Sequence, residues 1–310
     1  MSSERKYRLR EGEPVPKGIA RIARGRIDHA LDELGGKTES SAAEAVHEAR
    51  KDMKKLRALV RLVRGELGDT IHRRENVAFR DAGQLLSGVR DSDVMVATLD
   101  DLEERYADEL GGDGTGPAGD LRQVLEAHRI RTGGGGRGEA ADSASRALRT
   151  ARRRIGRWPL EHEGFEAVAD GFERIYRRGR RDFRTARSQP TTENLHEWRK
   201  RVKDLWYHLD LLRNGWPAVM KALASEAHEL SDRLGDDHDL AVLLAWAEQH
   251  APEAARAFER PVWRRRAELQ ADAFAIGERL YADKPRRFTR RLERWWNASP
   301  EVGAPAPAPP

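Results

Sequence analysis

Hydrophobic residues recur along most of the chain at steps of three and four, the spacing that puts side chains on one face of an α-helix. In segment 46–64, VHEARKDMKKLRALVRLVR, and just beyond it, this spacing predicts an apolar face made of Met53, Leu56, Leu59, Val60, Val63 and Leu67. A second row on the same predicted helix is basic throughout and consists of His47, Arg50, Lys54, Arg57 and Arg61. This row lies beside the apolar face, so neighbouring helices can cover it instead of leaving it in water.

The same arrangement of residues occurs a second time, at 195–213, LHEWRKRVKDLWYHLDLLR. Aligning the two segments pairs three basic positions, His47 with His196, Arg50 with Arg199 and Lys54 with Lys203. The apolar positions stay in register, and a later aspartate-bearing segment also repeats, which places Asp93 on Asp239. One match of this kind arises by chance in charged helices, whereas two matches in register indicate a duplicated unit.

The hydrophobic pattern predicts an all-α fold in two similar halves. Glycine-rich segments at 111–119 and 133–138 are predicted loops, and a first helix from residue 18 is predicted to stop at Gly35. The predicted organisation is an extended lead-in, a first helical half, a second helical half and a disordered proline-rich tail, at 1–17, 18–138, 139–297 and 298–310.

Composition narrows the function classes. The 310 residues include 57 Lys and Arg against 52 Asp and Glu, and with 35% of residues charged the chain must segregate charge by face. Cysteine is absent, which excludes disulfides, thiolate metal sites and a cysteine nucleophile. No segment approaches about 18 uninterrupted apolar residues, and the N-terminus lacks the apolar core of a signal peptide. We therefore expect a soluble cytoplasmic protein without a membrane partner.

The basic rows have two interpretations. On a single helix, such a row is most often a solvated face paired with acidic residues. Duplication favours the other interpretation, because two halves that face each other across a cavity would line it with both rows. Arginine offers a planar fork that matches phosphate oxygens and lysine a mobile point charge, here one helical turn of about 5.4 Å apart. Phosphate chains and nucleic-acid backbones both fit this spacing.

Histidine opens each basic row, at His47 and His196. A neutral imidazole donates one hydrogen bond, and a protonated one adds positive charge. The sequence therefore predicts that anion affinity rises as pH falls through the histidine pKa near 6.5.

The segment that follows Gly235 contains Asp236, Asp237, His238 and Asp239, which resembles a metal cluster of a metal-dependent phosphohydrolase. We favour a helix break at Gly235 with these residues as the N-cap, and Asp93 and Asp239 as supports for nearby arginines. The sequence contains no P-loop, Rossmann fingerprint, G-x-S-x-G or HExxH motif. No metal, cofactor or catalytic residue is predicted, and the tryptophan spacing favours packing over base stacking.

With both histidine helices located, the chain resembles the conserved histidine α-helical domain, or CHAD, family. The resemblance rests on VHEARKDMKKLRALVRL, LHEWRKRVKDLWYHLDLL, the two aspartate-bearing helix starts and GERLYADKPRRFTRRLERWW, and it covers about 7–296. It implies two helical bundles related by a pseudo-twofold axis, around a basic central cavity that binds inorganic polyphosphate. Some members associate with polyphosphate granules. The expected function is binding without catalysis, with nucleic acid as the alternative partner and a phosphohydrolase less favoured.

The resemblance also implies which residues bind the ligand. The first motif is matched by His47, Arg50, Lys54 and Arg57, and the second by His196, Arg199 and Lys203. Trp206 stands where the second motif is usually basic, and Asp210 stands where the first half has Arg61. The second row is therefore shorter, and we expect the helix predicted at 164–187 to compensate through Arg177, Arg180 and Arg181. The first row is expected to bind the anion more strongly.

Overall fold

A computed structural model describes residues 6–86, 91–110, 116–132 and 137–298. Over these ranges the protein is all-α, as predicted, with no strand. The helices are α1 (Val15–Leu34), α2 (Ala42–Leu62), α3 (Arg64–Leu85), α4 (Asp91–Arg105), α5 (Ala107–Leu110), α6 (Gly116–Thr132), α7 (Arg137–Arg154), α8 (Glu166–Ser188), α9 (Thr192–Leu211), α10 (Pro217–His250), α11 (Pro252–Leu280) and α12 (Pro285–Asn297). Parts of the predicted lead-in, loops and tail, at 1–5, 111–115, 133–136 and 299–310, lie outside the described residues.

The first helix begins earlier than predicted. Helix α1 starts at Val15, with Pro16 in its first turn. Proline is tolerated there because the N–H that it lacks would have no partner in the first turn of a helix. The predicted stop is confirmed, since Gly35 caps α1. The residues before α1 pack onto the protein: Leu9 is buried and its backbone N–H donates to the carbonyl of Leu211 at 3.2 Å.

The two histidine helices begin at side-chain caps. Ser41 and Glu44 form a capping box on α2, in which each side chain accepts a hydrogen bond from the other residue's backbone N–H. Thr191 caps α9 by accepting from the N–H of Asn194 at 3.2 Å. These caps fix the first turn of each helix, and therefore the position at which each basic row begins.

The predicted break at Gly235 is wrong. Helix α10 runs without interruption through 34 residues, and Gly235 lies buried in its interior. A Cβ atom at this position would lie 2.9 Å from Nη2 of Arg199, so glycine leaves the space that this guanidinium occupies. The predicted N-cap is wrong for the same reason, because Asp236–Asp239 are interior helix residues. Asp237 is buried and accepts hydrogen bonds from Arg266 at 2.9 Å and Gln270 at 2.7 Å.

Two hydrophobic clusters hold the helices together. The larger cluster joins α1, α2, α3, α7, α8, α9 and α12 with the N-terminal part of α10 and the C-terminal part of α11. The smaller cluster joins α4, α5 and α6 with the remaining parts of α10 and α11. Helix α8 approaches α2 so closely that a Cβ at Gly171 would overlap the carbonyl of Leu62. Over the described ranges, no helix combines the length and apolar character that spanning a bilayer requires.

Candidate functional site

Helices α2 and α9 pack against each other with both basic rows beside open space. Two cavities lie along these rows. The first cavity, of about 460 Å³, is lined by His47, Arg50, Lys51, Lys54, Val94, Met95, Arg199, Lys203, Trp206, Tyr207, His228, Asp232, His238, Asp239 and Val242. The second cavity, of about 390 Å³, is lined by Lys54, Arg57, Arg61, His196, Arg199, Lys200, Arg201, Lys203, Asp204 and Tyr207.

The two cavities adjoin, since Lys54, Arg199, Lys203 and Tyr207 line both. All eight candidate residues of the two histidine helices line at least one cavity, although the helices are separated by more than a hundred residues in the chain. The fold therefore brings the two predicted rows together along two adjoining cavities.

Charge in this space is strongly unbalanced. Nine Lys and Arg side chains line the two cavities, against three carboxylates. This excess of six is larger than the net charge of +5 for the entire chain. The rest of the protein is thus close to neutral, and the excess positive charge is concentrated along the two cavities.

Arg57 and Arg61 form the basic end of the second cavity. The pKa of Arg57 is lowered to about 10, mainly by burial and next by the neighbouring Arg61. Both effects make the charged form of the guanidinium less favourable than it is in water. Arg61 donates to Asp204 across the α2–α9 interface at 2.8 Å, and Arg201 lies 3.4 Å from the same carboxylate. Asp204 therefore neutralises part of this end, which leaves Arg57 as its less compensated cation.

A pair of histidines lies near the junction of the cavities. The rings of His196 and His238 are 4.3 Å apart, and the Nδ1 atom of each is buried without a hydrogen-bond partner among the described residues. Burial, followed by the proximity of His238, lowers the pKa of His196 to about 4, and burial with Arg199 nearby lowers the pKa of His238. Both rings are thus neutral at neutral pH, and the pKa of His196 lies below the expected 6.5.

The candidate arginines of α8 lie elsewhere. Arg177 pairs with Glu173 and Arg181 with Asp182, and both arginines are largely exposed. Arg180 donates to the carbonyl of Tyr281 at 2.9 Å and lines a separate cavity of about 580 Å³. None of the three lines the first or second cavity.

Two other arginines of α8 lie closer to the site. Arg174 donates to the carbonyl of Arg61 at 2.9 Å. Burial, with Arg201 nearby, lowers the pKa of Arg178. Helical periodicity places arginines all around α8, so the sequence carried no signal that could separate these two from their neighbours.

Helix α10 supplies a wall that the sequence reasoning missed. His228, Asp232, Asp239 and Val242 line the first cavity, at steps of three and four that also include Gly235. The helical spacing of these residues is present in the sequence, but the predicted break at Gly235 divided them between two segments. Of the two proposed supporting aspartates, Asp239 lies in this wall, whereas Asp93 is 3.8 Å from Arg129 of α6.

The possible metal cluster does not converge on one point. Consecutive helix residues point in different directions, and Asp237 is directed towards Arg266 of α11. In the part of the chain that the structure describes, no group of three His, Asp or Glu side chains has an arrangement that could hold a metal ion.

Comparison with known proteins agrees with this architecture. The crystal structure of the CHAD domain from the plant Ricinus communis superposes with a TM-score of 0.59, over 96% of this chain and 97% of that chain. The sequences are 16% identical, so this likeness concerns the fold alone. No curated protein matches the chain. The family model for the CHAD domain matches residues 21–248, which include both histidine helices. The chain belongs to the CHAD domain family.

Proposed function

We propose that this protein binds inorganic polyphosphate, without transforming it, in a basic central cavity formed by the first and second cavities. The CHAD family is linked in general to polyphosphate binding. For this chain, the main support is that both basic rows line two adjoining cavities, which nine Lys and Arg side chains line in all. The proposed ligand contacts are His47, Arg50, Lys54, Arg57, Arg61, His196, Arg199 and Lys203.

The crossing of α2 and α9 supports an internal duplication. Arg61 contacts Asp204, and Ala58 accepts a hydrogen bond from His208 at 2.9 Å. The residue number rises on α2 as it falls on α9, so the helices are antiparallel where they meet. A twofold axis perpendicular to two equivalent helices relates them in this antiparallel way, so the crossing is consistent with two halves related by pseudo-twofold symmetry.

Binding would act through charge and hydrogen bonds. Each phosphate group held by Lys or Arg displaces counterions, so affinity should fall steeply with salt, by analogy with protein–DNA binding. The guanidinium of Arg199 lines both cavities, where it can hold consecutive phosphates of one chain. A protein with this activity would concentrate on polyphosphate granules in the cytoplasm.

Paired charge reversal tests the site. The variant with Arg50→Glu and Arg199→Glu should lose binding of long-chain polyphosphate while circular dichroism shows unchanged helix content. The matched control, Arg286→Glu with Arg290→Glu, makes the same charge change at exposed positions of α12 and should bind with nearly wild-type affinity. Wild-type affinity in the Arg50/Arg199 variant would show that the anion binds elsewhere.

Two measurements distinguish the competing functions: the relative affinity for polyphosphate and nucleic acid, and the release of phosphate. Wild-type protein should bind long-chain polyphosphate more tightly than single-stranded DNA or RNA at matched salt; the reverse order would favour nucleic-acid binding. A phosphohydrolase would release phosphate in the presence of a divalent metal ion and stop after chelation or Asp239→Ala. We expect no release with any divalent metal.

A further inference from the structure

The two cavities differ in their chemistry. Seven of the ten residues that line the second cavity are Lys or Arg, as a phosphate chain requires. The first cavity has five such residues among fifteen, and the others include Val94, Met95, Trp206 and Val242. An inorganic phosphate chain offers only charged oxygens, so it gains nothing from these apolar side chains.

The first cavity also contains two carboxylates, Asp232 and Asp239. An ionised carboxylate repels a phosphate group, and it can accept hydrogen bonds but cannot donate them. Asp232 lies 2.7 Å from Nδ1 of His228, on the same wall of α10. A ligand that suits this cavity therefore carries hydrogen-bond donors and an apolar surface as well as phosphate. Ribose hydroxyls, base amino groups and the faces of a nucleobase meet both needs.

Trp206 is the residue that could contact such a base. Its ring stacks on Tyr207 at a centroid distance of 4.7 Å, and His228 meets it edge-on at 3.9 Å. These contacts hold the indole in a fixed orientation within the cavity wall. Trp206 occupies the position that corresponds to Arg57 in the first half, so an aromatic surface replaces a cation at this one place in the repeat.

We propose that the first cavity binds the nucleoside of a nucleoside polyphosphate, with the phosphates directed into the second cavity. This inference rests on the proposed function for the phosphate end. Lys203 and Arg199 lie about 4.5 and 10.5 Å from Trp206 along the axis of α9, and both line the two cavities. The first cavity, of about 460 Å³, falls within the range of about 300–1,000 Å³ for small-molecule sites.

The close spacing of the cations favours a nucleotide over RNA. In a single nucleic-acid strand a sugar separates successive phosphates, whereas the phosphates of a nucleoside triphosphate are directly joined. Arg199 and Lys203 are one helical turn apart, and Lys54 faces the same space. This density of charge matches joined phosphates beside a single base.

The test compares ATP with tripolyphosphate by calorimetry at matched salt in EDTA. ATP carries no more negative charge than tripolyphosphate, so tighter binding of ATP must come from its nucleoside. Stacking on one aromatic ring predicts that ATP binds about 5-fold to 150-fold more tightly. Trp206→Leu should remove this difference and leave tripolyphosphate binding unchanged. Trp206→Arg should reverse it, with tighter tripolyphosphate and weaker ATP, and Trp206→Phe should retain most of it.

The control is Trp263→Leu, which removes an exposed tryptophan of α11 that lines neither cavity. Equal affinity for ATP and tripolyphosphate, with equal effects of Trp206→Leu on both, would overturn the nucleoside site and leave polyphosphate binding intact. Tighter binding of a short RNA than of ATP, with the same dependence on Trp206, would overturn it in favour of nucleic acid. If neither ATP, tripolyphosphate nor long-chain polyphosphate binds, the proposed function fails together with this inference.

Discussion

Gly235→Ala should raise the stability of the protein and lower its affinity for polyphosphate. Glycine in a helix interior costs about 1 kcal/mol relative to alanine, so the substitution stabilises α10 by up to that amount. The new Cβ would stand 2.9 Å from Nη2 of Arg199, whereas ordinary contact begins at 3.4 Å, so the guanidinium must retreat by about 0.5 Å. The charge of the site does not change.

The effect on affinity follows from this displacement. A retreat of about 0.5 Å lengthens an ideal hydrogen bond from the guanidinium to a phosphate oxygen to about 3.4 Å, at the limit of useful geometry. Losing one hydrogen bond to a charged group costs about 1.5–3 kcal/mol, which corresponds to a loss of at least about ten-fold in affinity. Denaturant unfolding measures the gain in stability, and calorimetric titration with long-chain polyphosphate measures the loss in binding.

The matched control is Gly83→Ala in α3. A Cβ at Gly83 would meet the side chain of Met53 at 3.5 Å, an ordinary contact, and no residue that lines either cavity lies within 4 Å of it. This variant should therefore gain stability with unchanged affinity. A double variant isolates the proposed cause: once Arg199→Ala has removed the guanidinium, adding Gly235→Ala should have no further effect on binding. Wild-type affinity in Gly235→Ala, or an equal loss of affinity when Arg199 is already absent, would refute this role of Gly235.

Three further perturbations test packing, charge and pH. Gly171→Ala should destabilise the protein by about 3 kcal/mol or more, seen in denaturant unfolding, because its Cβ would overlap the Leu62 carbonyl; wild-type stability would contradict the close helix contact. Asp204→Ala should cost about 3–5 kcal/mol by leaving Arg61 unpaired, and polyphosphate should raise the Tm of this variant more than that of wild type; a smaller rise would contradict the ion pair's neutralising role. Polyphosphate affinity should rise as pH falls towards 4. A bound polyanion raises the pKa of His196 from about 4, so binding takes up a proton in this range. His196→Gln should flatten that rise, and an unchanged profile would assign it to another group.

Much of the fold could be predicted from helical periodicity. The apolar face of the first histidine helix is buried as expected, because that face depends only on residue spacing along one helix. The continuity of α10 could not be predicted, since glycine in a polar segment usually ends a helix. At Gly235 the reason for glycine lies in another helix, in the guanidinium of Arg199.

The candidate site divides in the same way. The two basic rows could be found because they repeat, and repetition is visible in a sequence. The arginines of α8 could not be chosen by periodicity, and the structure places Arg177, Arg180 and Arg181 away from both cavities. The pKa of His196 depends on burial and on His238 from another helix, so the expected titration near 6.5 was displaced by tertiary structure.

The smaller hydrophobic cluster has a consequence for synthesis of the protein. Helices α4, α5 and α6 pack against one another and against α10 and α11, whose contributing residues begin at Leu240, roughly 130 residues after α4 ends. At about 5–20 residues per second, a ribosome needs roughly 7 to 27 s to produce those partners. During that interval the apolar side chains of α4, α5 and α6 lack the part of their covering surface that α10 and α11 later supply. The nascent chain therefore carries an incompletely covered apolar segment until α10 and α11 have been made.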